Sequence, residues 1–264
     1  MPEIALDRFT GFADLYNKVR PKPPKKVFSI ILNLINKSKV NTVVDLGSGS
    51  GLSTKIWKGK ANKIIGIEPN NDMRKVAIKS NPKIEFLDGT SYKTGIANNS
   101  ADIVICSQSF HWMEPVETLK EINRILKPKG ILAVLDCDWP VTVSIDSEKA
   151  YNKLFEKVDE LHKKNNERLP KEIKWSKSNH LNNVRESECF DYIKEIVFDN
   201  EEKCDSKRFI GIALSQGHLQ TLVKYNITDI RKDIEEFENI VSLDIKGTKK
   251  MLISYRLIIA EKKA

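Results

Sequence analysis

Residues 43–54 read Val-Val-Asp-Leu-Gly-Ser-Gly-Ser-Gly-Leu-Ser-Thr. A run apolar on consecutive positions is the pattern of a strand buried on both faces, and such strands belong to sheets covered by helices on each side. The three glycines that follow allow positive φ and let backbone approach a ligand with no β-carbon in the way. The passage therefore predicts a buried strand, a glycine-rich turn able to hold a polar ligand, and a helix with hydroxyl residues at its start.

The dinucleotide pattern GxGxxG sets a helix N-terminus against a pyrophosphate. Here the glycines are Gly47, Gly49 and Gly51, and Leu52 stands where that pattern has its third glycine. A second strand, Lys63 to Ile67, ends in Glu68, 17 residues after Gly51. A carboxylate at that strand end can accept hydrogen bonds from both hydroxyls of a ribose. Together the two elements point to a nucleoside ligand across the strand ends.

The rest of the first half continues the alternation of a parallel α/β sheet. Strands are expected at Thr42–Leu46, Lys63–Ile67, Ile84–Leu87, Asp102–Cys106 and Gly130–Asp136, with a helix from Pro115 to Leu126 presenting Val116, Leu119, Ile122, Asn123 and Leu126 on one side. After Pro140 the chain becomes polar and lysine-rich. Residues 141–205 read as a mainly helical cap over the sheet edge, with Ser147–Asn166 a charged amphipathic helix. Residues 206–264 read as helices at Arg208–Tyr225 and Asp229–Phe237, then a terminal hairpin of Ile240–Ile245 and Met251–Glu261 that completes the sheet. The expected fold class is α/β: a Rossmann-like seven-stranded sheet, mostly parallel with an antiparallel last strand, helices on both faces, and a helical cap insertion. Residues 1–140 form its ligand-binding core.

Three further stretches carry a family resemblance: Phe12-Ala13-Asp14-Leu15-Tyr16-Asn17-Lys18-Val19-Arg20-Pro21, Ser107-Gln108-Ser109-Phe110-His111-Trp112, and Leu126-Lys127-Pro128-Lys129-Gly130. With the acidic residue before GxGxG and the second acidic residue ending the next strand, the first 140 residues resemble class I S-adenosylmethionine-dependent methyltransferases. Within them the similarity is to small-molecule enzymes of the trans-aconitate and ubiquinone-biosynthesis type. The resemblance implies S-adenosyl-L-methionine as cofactor, S-adenosyl-L-homocysteine as product, and a cofactor set of Tyr16, Arg20, Asp45, Gly47, Ser48, Gly49, Gly51, Glu68, Pro69, Met73, Gly89, Thr90, Ser107 and Gln108. In it the glycines line the methionine moiety, Glu68 binds the ribose, Met73 packs on the adenine, and Tyr16 and Arg20 close over the amino acid end. Where relatives often carry an Asp after Gly89, this chain has Thr90, so Thr90 or a backbone group would meet the adenine amino group.

Methyl transfer from a sulfonium needs alignment and dryness more than a charged catalytic pair, and a base only where the acceptor must lose a proton. The residues expected to face a substrate are His111, Trp112, Asp136, Asp138 and Trp139, after the fourth and fifth strands. His111 is the candidate base, with a structural histidine as the other reading. Trp112 and Trp139 either wall an apolar pocket or anchor the cap. No Asn/Asp-Pro-Pro-aromatic motif is present; Ser107-Gln108-Ser109-Phe110 stands there instead. That absence argues against nucleobase and protein amines and in favour of a small-molecule acceptor. A nicotinamide oxidoreductase, a non-catalytic S-adenosylmethionine-binding protein and an RNA methyltransferase are the competing readings.

Composition excludes several other classes. Apolar residues make up 40% of 264 and charged residues 30%, too apolar for disorder, and 12 glycines are too few for collagen. Cys106, Cys137, Cys189 and Cys204 form no CxxC pair, so no metal site or disulfide framework is expected and the thiols read as free. The N-terminus lacks a secretory signal pattern, and the longest apolar run, Ile131–Leu135, cannot span a bilayer. A cytoplasmic protein without a membrane partner is the expectation. The formal charge of +8 is concentrated before Pro140, where 21 basic residues face 14 acidic ones. The densest group, Lys22, Lys25 and Lys26, lies among prolines and reads as a solvated surface turn.

Overall fold

In the computed structural model, which describes residues 13–170 and 174–264, the chain's organising element is β1 (Val40–Leu46). Its neighbours are β2 (Ala61–Ile67) on one side and β4 (Ala101–Ser107) on the other, both parallel to it, with Val43 opposite Ile64 and Ile103. Beyond them lie β3 (Glu85–Leu87), parallel to β2, and β5 (Leu126–Cys137), parallel to β4. The sheet is completed by β7 (Lys249–Lys262), antiparallel to β5, and β6 (Phe190–Cys204) on the outer edge of β7, giving the order β3-β2-β1-β4-β5-β7-β6. The seven-stranded mixed sheet is the expected one, with β7 alone running against the other strands. Strand period two explains the core: Val43, Ile103, Ile105, Ala133 and Leu135 enter one apolar cluster, and Val44, Val104, Cys106, Leu132 and Val134 enter another.

Helices α1 (Ala13–Val19), α2 (Lys26–Leu34), α3 (Asn71–Ser80) and α4 (Pro115–Ile125) accompany the first half. Proline at the first turn and the Glu114 carboxylate, which accepts from the amides of Val116 and Glu117, start α4. Its buried face is Thr118, Leu119, Glu121, Ile122 and Ile125, whereas Val116 is 57% exposed, so the expected stripe was rotated at its first member. The helix after the glycine loop is a single 3-10 turn, Thr54–Trp57.

The second half departs further from expectation. Helices α5 (Ile145–Lys164) and α6 (His180–Glu186) fall in the proposed cap, but the cap is not helical to its end, because residues 190–204 are strand β6. Charged side chains at Asp191, Lys194, Glu195, Asp199, Glu201, Glu202 and Lys203 disguise this strand, as charge on an unpaired edge discourages sheet extension. Helices α7 (Ser206–Leu214) and α8 (Gly217–Lys224) replace one expected helix, and α9 (Arg231–Asp244) takes in most of the run proposed as the first hairpin strand. Phe237, Val241 and Ile245, spaced by four, are buried, which is helical burial; β7 pairs instead with β6, far upstream.

The four cysteines are free thiols. No helix among the described residues is long and apolar enough to cross a membrane. Phe12 and the N-terminal residues read for a signal lie outside the described residues.

Candidate active site

Strands β1, β2, β4 and β5 end on the same side, and a cavity opens there, where ligands bind in open α/β sheets. Its floor is the glycine loop. Gly47, Gly49 and Gly51 all have positive φ, yet for different reasons. A β-carbon on Gly47 would stand 2.7 Å from Ser109 Cβ, and one on Gly51 would meet Asn81 and Phe86, so both positions are small because the protein itself packs there. At Gly49 a β-carbon would meet nothing within 4 Å, and the residue lines the cavity, so its bare backbone faces open space.

Below the loop Asp45 is fully buried. Its Oδ2 accepts from Ser53 Oγ (2.5 Å) and Thr54 Oγ1 (2.7 Å), clamping the loop's two ends. Burial pushes its carboxyl up to about 6, against those two hydrogen bonds. Glu68 follows β2 directly and is held at the cavity by Asn70, whose side chain caps α3 by accepting from the Met73 amide (2.9 Å). Its oxygens accept the Gly49 and Asn70 amides, both at 2.8 Å. Burial raises this carboxyl to about 7, opposed by the same two bonds and by Arg74.

Above the loop, Arg20 lies 4.7 Å from the Tyr16 ring centroid and 4.9 Å from that of Trp139. Its Nε donates to Ser215 Oγ (2.9 Å), and its Nη2 to Ser215 O (2.9 Å) and Gln216 Oε1 (3.0 Å). The break between α7 and α8 thus supplies the acceptors that anchor the guanidinium. Trp112, Trp139, Cys137 and Tyr255 make the far wall, the last two being register partners across β5 and β7. Burial pushes the Cys137 thiol up to about 12 and also raises the Tyr255 phenol. The open space is about 120 Å³, smaller than the roughly 300–1,000 Å³ of a cleft for a drug-sized ligand.

Of the residues read from sequence, Tyr16, Arg20, Gly47, Ser48, Gly49, Glu68, Pro69, Met73, Ser107, Gln108, Trp112 and Trp139 line one cavity. Asp45 and Gly51 lie beneath it. Gly89 and Thr90 sit in the turn after β3 and do not line it, although Thr90 Oγ1 is buried without a hydrogen-bond partner among the described residues. Asp138 is turned to the surface with Arg256 (3.4 Å).

His111 also lies off the cavity. It is buried with Nδ1 3.5 Å from Asp136 Oδ1, and burial, only partly offset by Asp136, pushes it down to about 4. Asp136 in turn meets His180 Nδ1 (3.0 Å) and Lys177 Nζ (3.0 Å); burial raises its carboxyl, but these partners and His111 outweigh that and hold it well below the usual carboxylate range. The reason His111 is not a cavity base is local: the 3-10 turn Phe110–Trp112 sends Trp112 to the cavity and His111 into this buried cluster. Sequence reading missed Pro21, Pro23, Ser50, Leu52, Ser53, Ser109, Cys137 and Tyr255 as lining residues; Cys137 ends β5, a position that by itself signals a site.

Residues 44–134 match the methyltransferase domain family model. That stretch, about a third of the chain, is similar to methyltransferase domains. An uncharacterised methyltransferase of Schizosaccharomyces pombe is 33% identical over 127 residues, 48% of this chain and 50% of the relative. One from Mycobacterium tuberculosis is 28% identical over 127 residues, 48% and 51% of the two. The chain spans about half the length of these curated methyltransferase relatives. Among solved structures, YcgJ of Bacillus subtilis aligns with a TM-score of 0.57 at 15% identity, covering 91% of this chain and 100% of its own. A Haemonchus contortus phosphoethanolamine N-methyltransferase, in complex with phosphomonomethylethanolamine and S-adenosylhomocysteine, aligns at 0.58 and 13% identity, covering 98% of this chain and 59% of its own. Both share this fold. Among the described residues, no cluster of three or more His, Cys, Asp or Glu is placed to hold a metal ion.

Proposed function

We propose that the chain transfers the methyl group of S-adenosylmethionine to a small-molecule acceptor by in-line displacement. The observation that carries this reading is the bare backbone of Gly49 facing open cavity beside the buried carboxylate of Glu68. The lining supports the cofactor: Ser48 and Gln108 are cavity residues, and among the described residues Gln108 Nε2 and Ser48 Oγ, the latter set over Gly66, are buried with no hydrogen-bond partner. Such groups are costly unless a ligand satisfies them.

The cofactor, when bound, supplies an activated methyl on an excellent leaving group. Glu68 accepts hydrogen bonds from the ribose hydroxyls, Ser48 and Gln108 donate or accept at polar atoms of the ligand, and Arg20, fixed by Ser215 and Gln216, pairs with its carboxylate. Trp112, Trp139 and Tyr255 exclude water and align the acceptor, the main catalytic requirement of a displacement.

The Glu68 carboxyl, raised to about 7, is taken up by the Gly49 and Asn70 amides and the ribose, and no side chain of the far wall is a ready base: the Cys137 thiol stays protonated at neutral pH, the Tyr255 phenol is raised, and His111 is turned away. The acceptor is accordingly one whose nucleophilic atom is already unprotonated, a carboxylate or a free amine. Labelled-methyl transfer across carboxylic acids, amines and phenols tests this. Turnover of carboxylates or amines with phenols inert is expected; turnover of phenols alone would overturn it.

A further inference from the structure

Around the outside of the cavity mouth runs a second groove, and its composition is unlike that of the first. It is an open groove of about 630 Å³, lined by Lys22, Pro23, Pro24 and Lys25 from the segment after α1, Lys55, Ile56 and Lys58 from the 3-10 turn after the glycine loop, and Asn200, Glu202, Lys203 and Arg208 from the end of β6 and the start of α7. Six cations thus converge from three separate stretches of chain, against one carboxylate. That carboxylate is committed: Glu202 is paired with Arg208 and also accepts the Lys22 amide (3.0 Å).

Lys58 donates to Asn81 Oδ1 (3.2 Å), a neutral partner. For the side chains of Lys22, Lys25, Lys55 and Lys203 the described residues offer no hydrogen bond or ion pair. Lys55 is the most telling of the four. Burial pushes its ammonium down from the ordinary lysine value, and the charges of Lys22 and Lys58 push it further the same way. A surface that merely kept the protein soluble would spread its lysines apart; this one brings them within each other's field. Pro21, Pro23 and Pro24 restrict the backbone around Lys22 and Lys25, which lowers the entropic cost of presenting both ammoniums to one ligand.

We infer that this groove is a binding site for a compact polyanion of diphosphate size, and that it holds the anionic end of an acceptor whose other end enters the cavity past Pro23. Pro23 lines both spaces, so one ligand can occupy the two. The second half of the inference rests on the methyl-transfer reading; the first does not. The groove measures about 630 Å³ and its cations come from three short stretches, which suits a small ligand better than a duplex.

Calorimetry with inorganic pyrophosphate, on the full chain with and without saturating S-adenosylhomocysteine, separates the two. Pyrophosphate should bind equally well in both states, weaken with added salt, and lose about tenfold or more in affinity in Lys55→Gln/Lys203→Gln. That variant should keep its S-adenosylhomocysteine affinity, which also reports that it is folded. Displacement of pyrophosphate by S-adenosylhomocysteine would place the anion in the main cavity at Arg20 and overturn the proposal. Equal pyrophosphate affinity in the variant, or single-stranded RNA binding that outcompetes pyrophosphate by orders of magnitude, would overturn it as well. Failure of S-adenosylhomocysteine to bind while pyrophosphate binds would sink the methyl-transfer reading and leave the groove standing.

Discussion

Two glycines two positions apart separate folding from binding. A β-carbon at Gly47 collides with Ser109 and Met113, so Gly47→Ala should cost roughly 2–4 kcal/mol in urea unfolding, from overpacking and the left-handed backbone together. Gly49→Ala meets no atom and should cost only about 1–2 kcal/mol, the backbone term. At Glu68 the sign of a pH effect can be worked out. Its folded value of about 7 exceeds the unfolded one of about 4.3. Between those values the folded state holds a proton the unfolded state has lost, so the penalty is full above 7 and vanishes as pH falls toward the unfolded value. Relative to Glu68→Gln, the wild type should gain on the order of 2 kcal/mol between pH 7.5 and 5, read by denaturant titration at each pH. A constant difference between the two would contradict the buried, raised carboxyl. His111→Ala should lower stability by about 1–3 kcal/mol, because Asp136 loses a buried neighbour. Methyl transfer by that variant should stay within about threefold of wild type, since the ring does not reach the cavity.

Elements were legible where one physical signal acted alone. The parallel strands declared themselves by consecutive apolar residues, and Glu68 by its place at a strand end. The glycine loop was legible for the same reason, because backbone geometry leaves few other residues admissible there. The errors came where two signals competed. Residues 240–245 are rich in apolar residues, which reads as strand, yet Val241 is fully buried while Leu243 is 73% exposed. Residues two apart share a face in a strand and not in a helix, so Val241→Ala should destabilise by about 2 kcal/mol and Leu243→Lys by no more than about 0.5. Equal effects would argue for a strand. Strand β6 was hidden by edge charges, and its partner β7 comes 45 residues later in the chain, a pairing no local pattern announces. The side-chain directions within Phe110–Trp112, which send Trp112 to the cavity and His111 away, were equally beyond reach of spacing.

At the scale of the whole molecule, the sheet topology brings together what the sequence scatters. Cys137 and Tyr255 become neighbours through antiparallel pairing, Arg20 finds its anchors at residues 215–216, and lysines from three stretches gather beside the same mouth. The account rests on a nucleoside sulfonium occupying the space between Gly49 and Glu68. Calorimetric titration of the full chain with S-adenosylhomocysteine measures this most directly. It should give a Kd near the micromolar range, about −8 kcal/mol, and Gly49→Val should weaken it by at least about a hundredfold, because the added side chain fills the space the ligand needs. Undiminished binding in that variant would contradict the account.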